Sequence, residues 1–236
     1  SRLIFGARVS VIIGVAATTL NIIVAALIGV PSGFFGGKMD MVIQRFVDAW
    51  MAFPGLLLLI TVMSLVGPGQ LQIILVLGVY SGVRNSRVVR SAVINIRENV
   101  YMAAAEAVGS TSMSTLARHV MPNITAPIII VYTVTIGSVI LTEASLSFLG
   151  YGLPPETASW GGMLSGEGRK YMELAPRLAL WPGVALSVVI YSINMFGDAM
   201  RDLLDPRLRG GLGRYGTTAR KTGGLLARLR LKKGSN

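Results

Sequence analysis

The sequence predicts an all-α membrane protein, and three observations predict it. Of its 236 residues, 52% are hydrophobic and only 14% are charged, too few charges for a soluble domain with such long uncharged runs. Four runs, 9–30, 49–66, 124–142 and 178–197, carry little or no charge over 18 to 22 residues. A fifth, 71–83, is short before Arg84, but a helix can continue from it toward residue 97. About 20 apolar residues cross a hydrocarbon core of roughly 30 Å. In lipid each backbone amide needs a partner within its own segment, so the runs are expected to be helices. The third observation is the placement of charge.

The net charge is +11, which by itself suits nucleic acid. With the C-terminus inside and five alternating spans, segments 31–45, 84–123 and 201–236 hold 17 Lys/Arg and the outer segments hold five. That is the positive-inside bias of a multi-pass membrane protein, and it argues against nucleic acid as partner. The chain has no cysteine, so neither a disulfide framework nor a thiolate metal site is expected. Its start does not read as a cleavable signal peptide.

Taken in order, SRLIFGARVS (1–10) leads into the first span, and GFFGGKMD (33–40) reads as a Gly-rich inner turn. Pro54-Gly55 should kink the second span. Gly67-Pro68-Gly69 should end it on the outside. Arg84, Arg87 and Arg90 then recur every third residue, along one slowly drifting helix face. The stretch 98–123 (ENVYMAAAEAVGSTSMSTLARHVMPN) reads as an Ala-rich helix over Tyr101–Val108 and a turn at Gly109. A second amphipathic segment with Leu116, Val120 and Met121 follows, then a Pro-Asn stop at Pro122-Asn123. Residues 150–176 form an irregular outer loop, with Trp160 and Trp181 suited to a membrane interface. Pro182-Gly183 lie in the last span. Nine Lys/Arg and no acid follow from Pro206 onward. Within them LLARLRLKKG (225–234) is basic and partly amphipathic, fit for anionic lipid or for a disordered tail.

Few residues suggest chemistry. Gly33 to Met39 lacks the spacing of a nucleotide-binding loop, so any ATP must be handled by another chain. No nucleophile–base pair stands out, and enzyme activity is not expected. Glu143 falls about 30 Å along its helix from Ile124, near the outer boundary. It reads as an interfacial carboxylate reaching water or a partner, or as one lining a path. Asp48 reads as an interfacial charge paired with Arg45 or water. Asp198, Arg201, Asp202, Asp205 and Arg207 cluster at the inner end of the last span, as a charged helix end or as an inner-gate or ATPase-facing network. His119, the sole histidine, either packs within its loop or meets a partner.

The loop at 98–123 resembles the cytoplasmic coupling loop of ABC importer permeases, E-A-A, three residues, G, nine residues, I-x-L-P. Ala104, Ala105, Gly109 and Pro122 fall on the pattern, while Ala103, His119 and Met121 stand where the family has Glu, Ile and Leu. Further blocks come in family order over roughly 1–210: SRLIFGARVS, GFFGGKMD with RFVDAWMAFPGLLL, LTEASLSFLGYGLPPETASWGGML and NMFGDAMRDLLDPRLRG. They resemble permeases of the dipeptide/oligopeptide/nickel class. The resemblance implies the type I ABC importer permease fold, with five spans visible of an expected six, the first preceding the SRL block. It implies a permease domain at 1–209, with a coupling loop at 98–123 and an outer loop at 150–176, and a basic cytoplasmic tail at 210–236. Ala103, Ala104, Ala105, Glu106, Gly109, His119, Pro122 and Asn123 are the implied ATPase-coupling residues. Glu143, Asp198 and Arg201 are candidates for the path or gate. The implied partners are a second permease subunit, two ABC ATPases that bind ATP and Mg, an extracytoplasmic substrate-binding protein and the bacterial or archaeal plasma membrane, with the C-terminus cytoplasmic. A di- or oligopeptide is the expected substrate, with nickel or another small solute next. An ion-coupled carrier would instead call for repeated broken helices and a midplane ionisable pair, which do not stand out. A membrane enzyme would call for a reactive constellation.

Overall fold

The computed structural model describes residues 2–165 and 175–204. The tail 210–236, Asp205, Arg207 and part of the 150–176 loop lie outside the described residues, as does the side chain of Glu106. The order is α1 (Arg2–Phe35), α2 (Gly37–Met51), α3 (Gly55–Val66), α4 (Gln70–Arg97), α5 (Val100–Ala107), α6 (Ser112–Thr115), a π-turn (Leu116–Val120), α7 (Met121–Phe148), α8 (Trp160–Leu164) and α9 (Arg177–Leu204). Among the described residues no strand occurs, as apolar runs that must satisfy their own backbone require.

Four of the five expected runs fall within single helices, and the fifth, 49–66, is split between α2 and α3. α1, the unit Ser112–Phe148 and α9 each combine the length and apolarity to cross a membrane. The α2–α3 pair passes only jointly, bent by 84°. α4 has the length, with 28 residues or about 42 Å; its second half carries the arginines.

α1 organises the bundle. Gly6, Ser10, Gly14, Ala17, Asn21, Ala25 and Gly29 are buried at spacings of three and four, a small-residue stripe that lets other backbones come close. A Cβ on Gly82 of α4 would lie 2.6 Å from the Val24 Cβ, and one on Gly14 would lie 2.5 Å from Ile140 of α7. α4 and α7 therefore pack directly on α1 and on each other, while α9 packs on α7 and α8. α9 buries only Pro182, Leu186 and Gly197 and exposes Trp181, Val188, Tyr191 and Phe196. Pro182 lies inside an unbroken helix.

Three local expectations need correction. At Pro54 the chain does more than kink: the helix breaks, α2 ending at Met51 and α3 starting at Gly55 at 84° to it. Phe53 is pushed from helical angles by the following proline, Pro54 itself takes ψ 122°, and Gly55 leaves room for the Tyr80 hydroxyl. Pro122 does not stop a helix. The backbone runs on from Ser112 to Phe148 through the π-turn, where the Met121 amide donates to the Leu116 carbonyl. That one-residue slip puts Pro122 in the first turn of α7, just after the wider π-turn. Trp160 is not interfacial: it is 2% exposed, and its indole Nε1 donates to the Leu3 carbonyl at 3.1 Å. Trp181 is 60% exposed.

Candidate functional site

The stretch 98–123 folds as an elbow at the arginine-rich end of the bundle. α5 ends in the hydrogen-bond pattern of a left-handed glycine cap. Gly109 has φ 82°, Ser110 N–H donates to the Ala105 carbonyl at 3.1 Å, and Val108 N–H donates to the Ala104 carbonyl at 3.2 Å. Glycine takes that angle without the Cβ clash other residues meet. Thr111 then caps α6, its hydroxyl accepting from the Ser114 amide, and Thr115 donates to Ser110 at 3.1 Å. Ala103, Ala104 and Gly109 are exposed, Ala105 half-buried. Val100, Val108 and Met113 point outward, with Val108 90% exposed.

Little anchors this exposed elbow. Met102 is 3% exposed and joins Val120, Ile124, Val89, Val93, Ala25 and Val30 in one apolar cluster. Sequence reasoning passed over Met102; its signal is a lone large apolar residue among alanines. His119 is half-buried, with its ring 6.3 Å from that of Tyr101, and its carbonyl accepts from Asn123 Nδ2 at 2.6 Å. His119, Pro122 and Asn123 thus form the root of α7, and the alanines with Gly109 form the tip.

Next to the elbow, α4 is tied to α2. Arg90 makes two hydrogen bonds of 2.6 Å to Asp40, which also accepts from Ser32; Ser32 in turn accepts from Gln44 at 3.0 Å. The Arg90 fork matches both carboxylate oxygens. Asp48 pairs with Arg87, not with the expected Arg45. The third-residue spacing of the arginines foreshadowed this shared face; the acidic partners on α2 were legible only in three dimensions.

Glu143 lies at the opposite end. It does not reach water as an interfacial group would: it is 0% exposed and accepts from Ser147 at 2.8 Å and Ser10 at 3.3 Å. Ser147, one turn on in sequence, was the signal for half of this cluster. Asp198 and Arg201 are exposed at the far end of α9 and are not brought together with Glu143 or the elbow. Among the described residues no group of His, Cys, Asp and Glu is placed to hold a metal ion.

Comparison with known proteins agrees with this geometry. Residues 9–210 match the family described as binding-protein-dependent transport system inner membrane component. The chain is 38% identical over 209 residues to a putative peptide transport system permease protein of Brucella suis, covering 89% of this chain and 70% of that protein. It is 35% identical over 210 residues to the glutathione transport system permease protein GsiD of Escherichia coli, covering 89% and 69%. In fold it is similar to a chain of the inward-facing MetNI methionine ABC transporter, with TM-score 0.72 at 18% identity over 86% of this chain and 96% of that one. SRLIFGARVS, at the start of α1, runs into the matched residues 9–210, and the other blocks that carried the resemblance, the glycine-capped elbow and the end of α9 among them, lie within that match. The chain belongs to the binding-protein-dependent transport system inner membrane components and is a permease subunit of an ABC importer.

Proposed function

We propose that this chain is one half of the translocation pathway of an importer for di- or oligopeptides. It pairs with a second, different permease, receives substrate from an extracytoplasmic binding protein and takes its drive from two ATPases that hold ATP and Mg. The single observation that carries the coupling role is the exposed helix α5, closed by Gly109 and tethered through Met102. A short rigid helix with a bare alanine face suits a groove on another protein. Motor closure would move it as a lever and so bias the bundle between two states, by differing affinity for each. The surrounding arginines support a cytoplasmic placement of this end, by the positive-inside bias, and Asp198 and Arg201 are read as lying on the same side. Asp198 and Arg201 then stand as inner-gate candidates, and Glu143 becomes a clamp that closes the outer end of α7 on α1. The chain itself hydrolyses nothing in this reading.

Peptide is preferred because the relatives above carry that substrate in their names, and glutathione is itself a tripeptide. The test is uptake into proteoliposomes of the full assembly, with trialanine, glutathione and a nickel chelate offered separately. ATP-dependent uptake of trialanine or glutathione is expected. Uptake of the nickel chelate alone would replace the peptide reading, and uptake without the ATPases would remove the ABC mechanism.

A further inference from the structure

Three arginines share one face of α4, and two of them meet a carboxylate: Arg90 holds Asp40 and Arg87 holds Asp48. Arg84 pairs with no carboxylate among the described residues. Its Nη1 donates to the Tyr80 hydroxyl at 3.3 Å, and its Cζ stands 5.8 Å from the centre of the Tyr80 ring.

Packing gives its depth. Gly82 closes on Val24 of α1, and Gly29 of α1 closes on Val89 of α4. Arg84 is therefore level with the stretch between Val24 and Gly29, inside the charge-free run 9–30. Arg90, level with Gly33, lies beyond that run. The direction of the side chain matters too. An arginine near a membrane surface extends its head to the nearest water. Arg84 turns back one helical turn toward Tyr80, away from the arginine-rich end. It is exposed in the isolated chain. A charge at this depth, aimed inward, is tolerated facing a water-filled cavity or an anion and not facing lipid. The Tyr80 hydroxyl packs against Gly55, at the break between α2 and α3. Broken helices of this kind stand where backbone lines a cavity.

We propose that Arg84, oriented by Tyr80, is a carboxylate subsite on the translocation path, taking the C-terminal carboxylate or an acidic side chain of a peptide in transit. The ligand rests on the peptide-importer reading; the placement on the path does not. A planar guanidinium offers two parallel donors to a carboxylate. A single exposed pair is weak enough to let the substrate leave, as conduction through a path requires.

The 236 residues hold no cysteine, so Arg84→Cys gives them one thiol. In the complete importer, a membrane-impermeant methanethiosulfonate should label Arg84→Cys, and saturating trialanine with binding protein and ATP should slow the labelling. Leu27→Cys, 70% exposed on α1 at a similar depth, serves as the lipid-facing control and should stay unlabelled. An unlabelled Arg84→Cys would mean that lipid or a partner's carboxylate covers it, and would overturn the proposal. Arg84→Gln should lower kcat for trialanine roughly tenfold, the scale of one charged hydrogen bond, with KM within about twofold. Arg84→Lys, which keeps the charge but not the two-pronged fork, should recover only part of the loss. Uptake of trialanine amide should be indifferent to Arg84→Gln, and uptake of Ala-Glu-Ala amide tells whether a side-chain carboxylate also serves. An equal loss with trialanine amide would show a structural role and overturn the subsite. If the wild type imports no trialanine, the peptide reading fails, while the labelling still decides whether Arg84 faces the path.

Discussion

The two ends of the bundle are held together in different ways. At the Trp160 end the bonds join distant parts of the chain. Ser10 reaches Glu143, Trp160 reaches Leu3, and a Cβ on Gly161 would lie 2.6 Å from the Ala144 Cα. At the elbow the side-chain hydrogen bonds are local: Ser110 with Thr115, Thr111 with Ser114, His119 with Asn123. Among the described residues, none of these spans more than five positions. The first end is closed by this chain's own packing. The second presents an ordered but thinly anchored helix, which is what a surface completed by another protein looks like before that protein arrives. The proposed coupling role therefore falls at the end that this chain's own packing holds least.

The sharpest way to break this contrast is Gly109→Trp. No atom lies within 4 Å of a Cβ built at Gly109, so the ring would enter open space, where the ATPase is proposed to sit. The φ of 82° adds about 1–2 kcal/mol of strain for any L side chain. Uptake should fall to background and substrate-stimulated ATP hydrolysis should be lost, while the amount of protein in the membrane is unchanged. Gly109→Ala carries the strain without the bulk and should keep partial uptake. Equal loss in both variants would assign the effect to the turn and not to the docking surface.

Met102→Ala comes next. It removes the side chain that roots α5 in the Val120–Ile124 cluster, a change that costs about 2–5 kcal/mol at a well-packed site. Because α5 has little else, the loss should appear as faster protease cleavage within 98–115 and uptake reduced about tenfold or more. Thermal stability of the rest should barely move. Glu143→Leu tests the other end, where it strands the hydroxyls of Ser10 and Ser147, at about 1–3 kcal/mol. Here the melting temperature should drop while the ratio of transport to ATP hydrolysis stays normal. Glu143→Gln keeps a carbonyl acceptor and should sit between Leu and wild type. A coupling defect in Glu143→Leu would erase the division between a stable end and a responsive one.

What the sequence made legible was local. Charge-free runs became helices, Gly109 became a left-handed cap one residue from its expected helix end, and Gly67 with φ 89° ended α3. What it hid depended on register and on distant partners. Pro122 carries the same ring whether it ends a helix or begins one. Only the π-turn before it decides, and no residue type announces a π-turn. Pro54 looked like a kink because the sequence does not show the Tyr80 hydroxyl lodged against Gly55. Asp48 looked nearest to Arg45 along the chain, yet α4 crosses α2 so that Arg87 meets it first. Trp160 was read from the habit of tryptophan at interfaces, and the backbone carbonyl of Leu3 that accepts its N–H lies 157 residues away.

The smallest expected effect sharpens the comparison most finely, because it lies between the two ends. Asp40–Arg90 and Asp48–Arg87 both tie α2 to α4, but the first is bidentate with side chains 19% and 30% exposed, and the second is 48% and 40% exposed. Water screens an exposed pair, and holding two long side chains together costs entropy, so such pairs contribute about 0–1 kcal/mol. Double-mutant cycles with Asp40→Asn and Arg90→Gln should give a coupling near 1 kcal/mol, and those with Asp48→Asn and Arg87→Gln about half of that or less. The second coupling should vanish in high salt, and the first should partly persist, since Ser32 also donates to Asp40 and fixes it. If the order were reversed, the better-made pair would contribute less than the looser one. The α2–α4 tie would then be held by the field of the arginine row as a whole, and Arg84, at the deep end of that row, would feel Asp48 even without touching it.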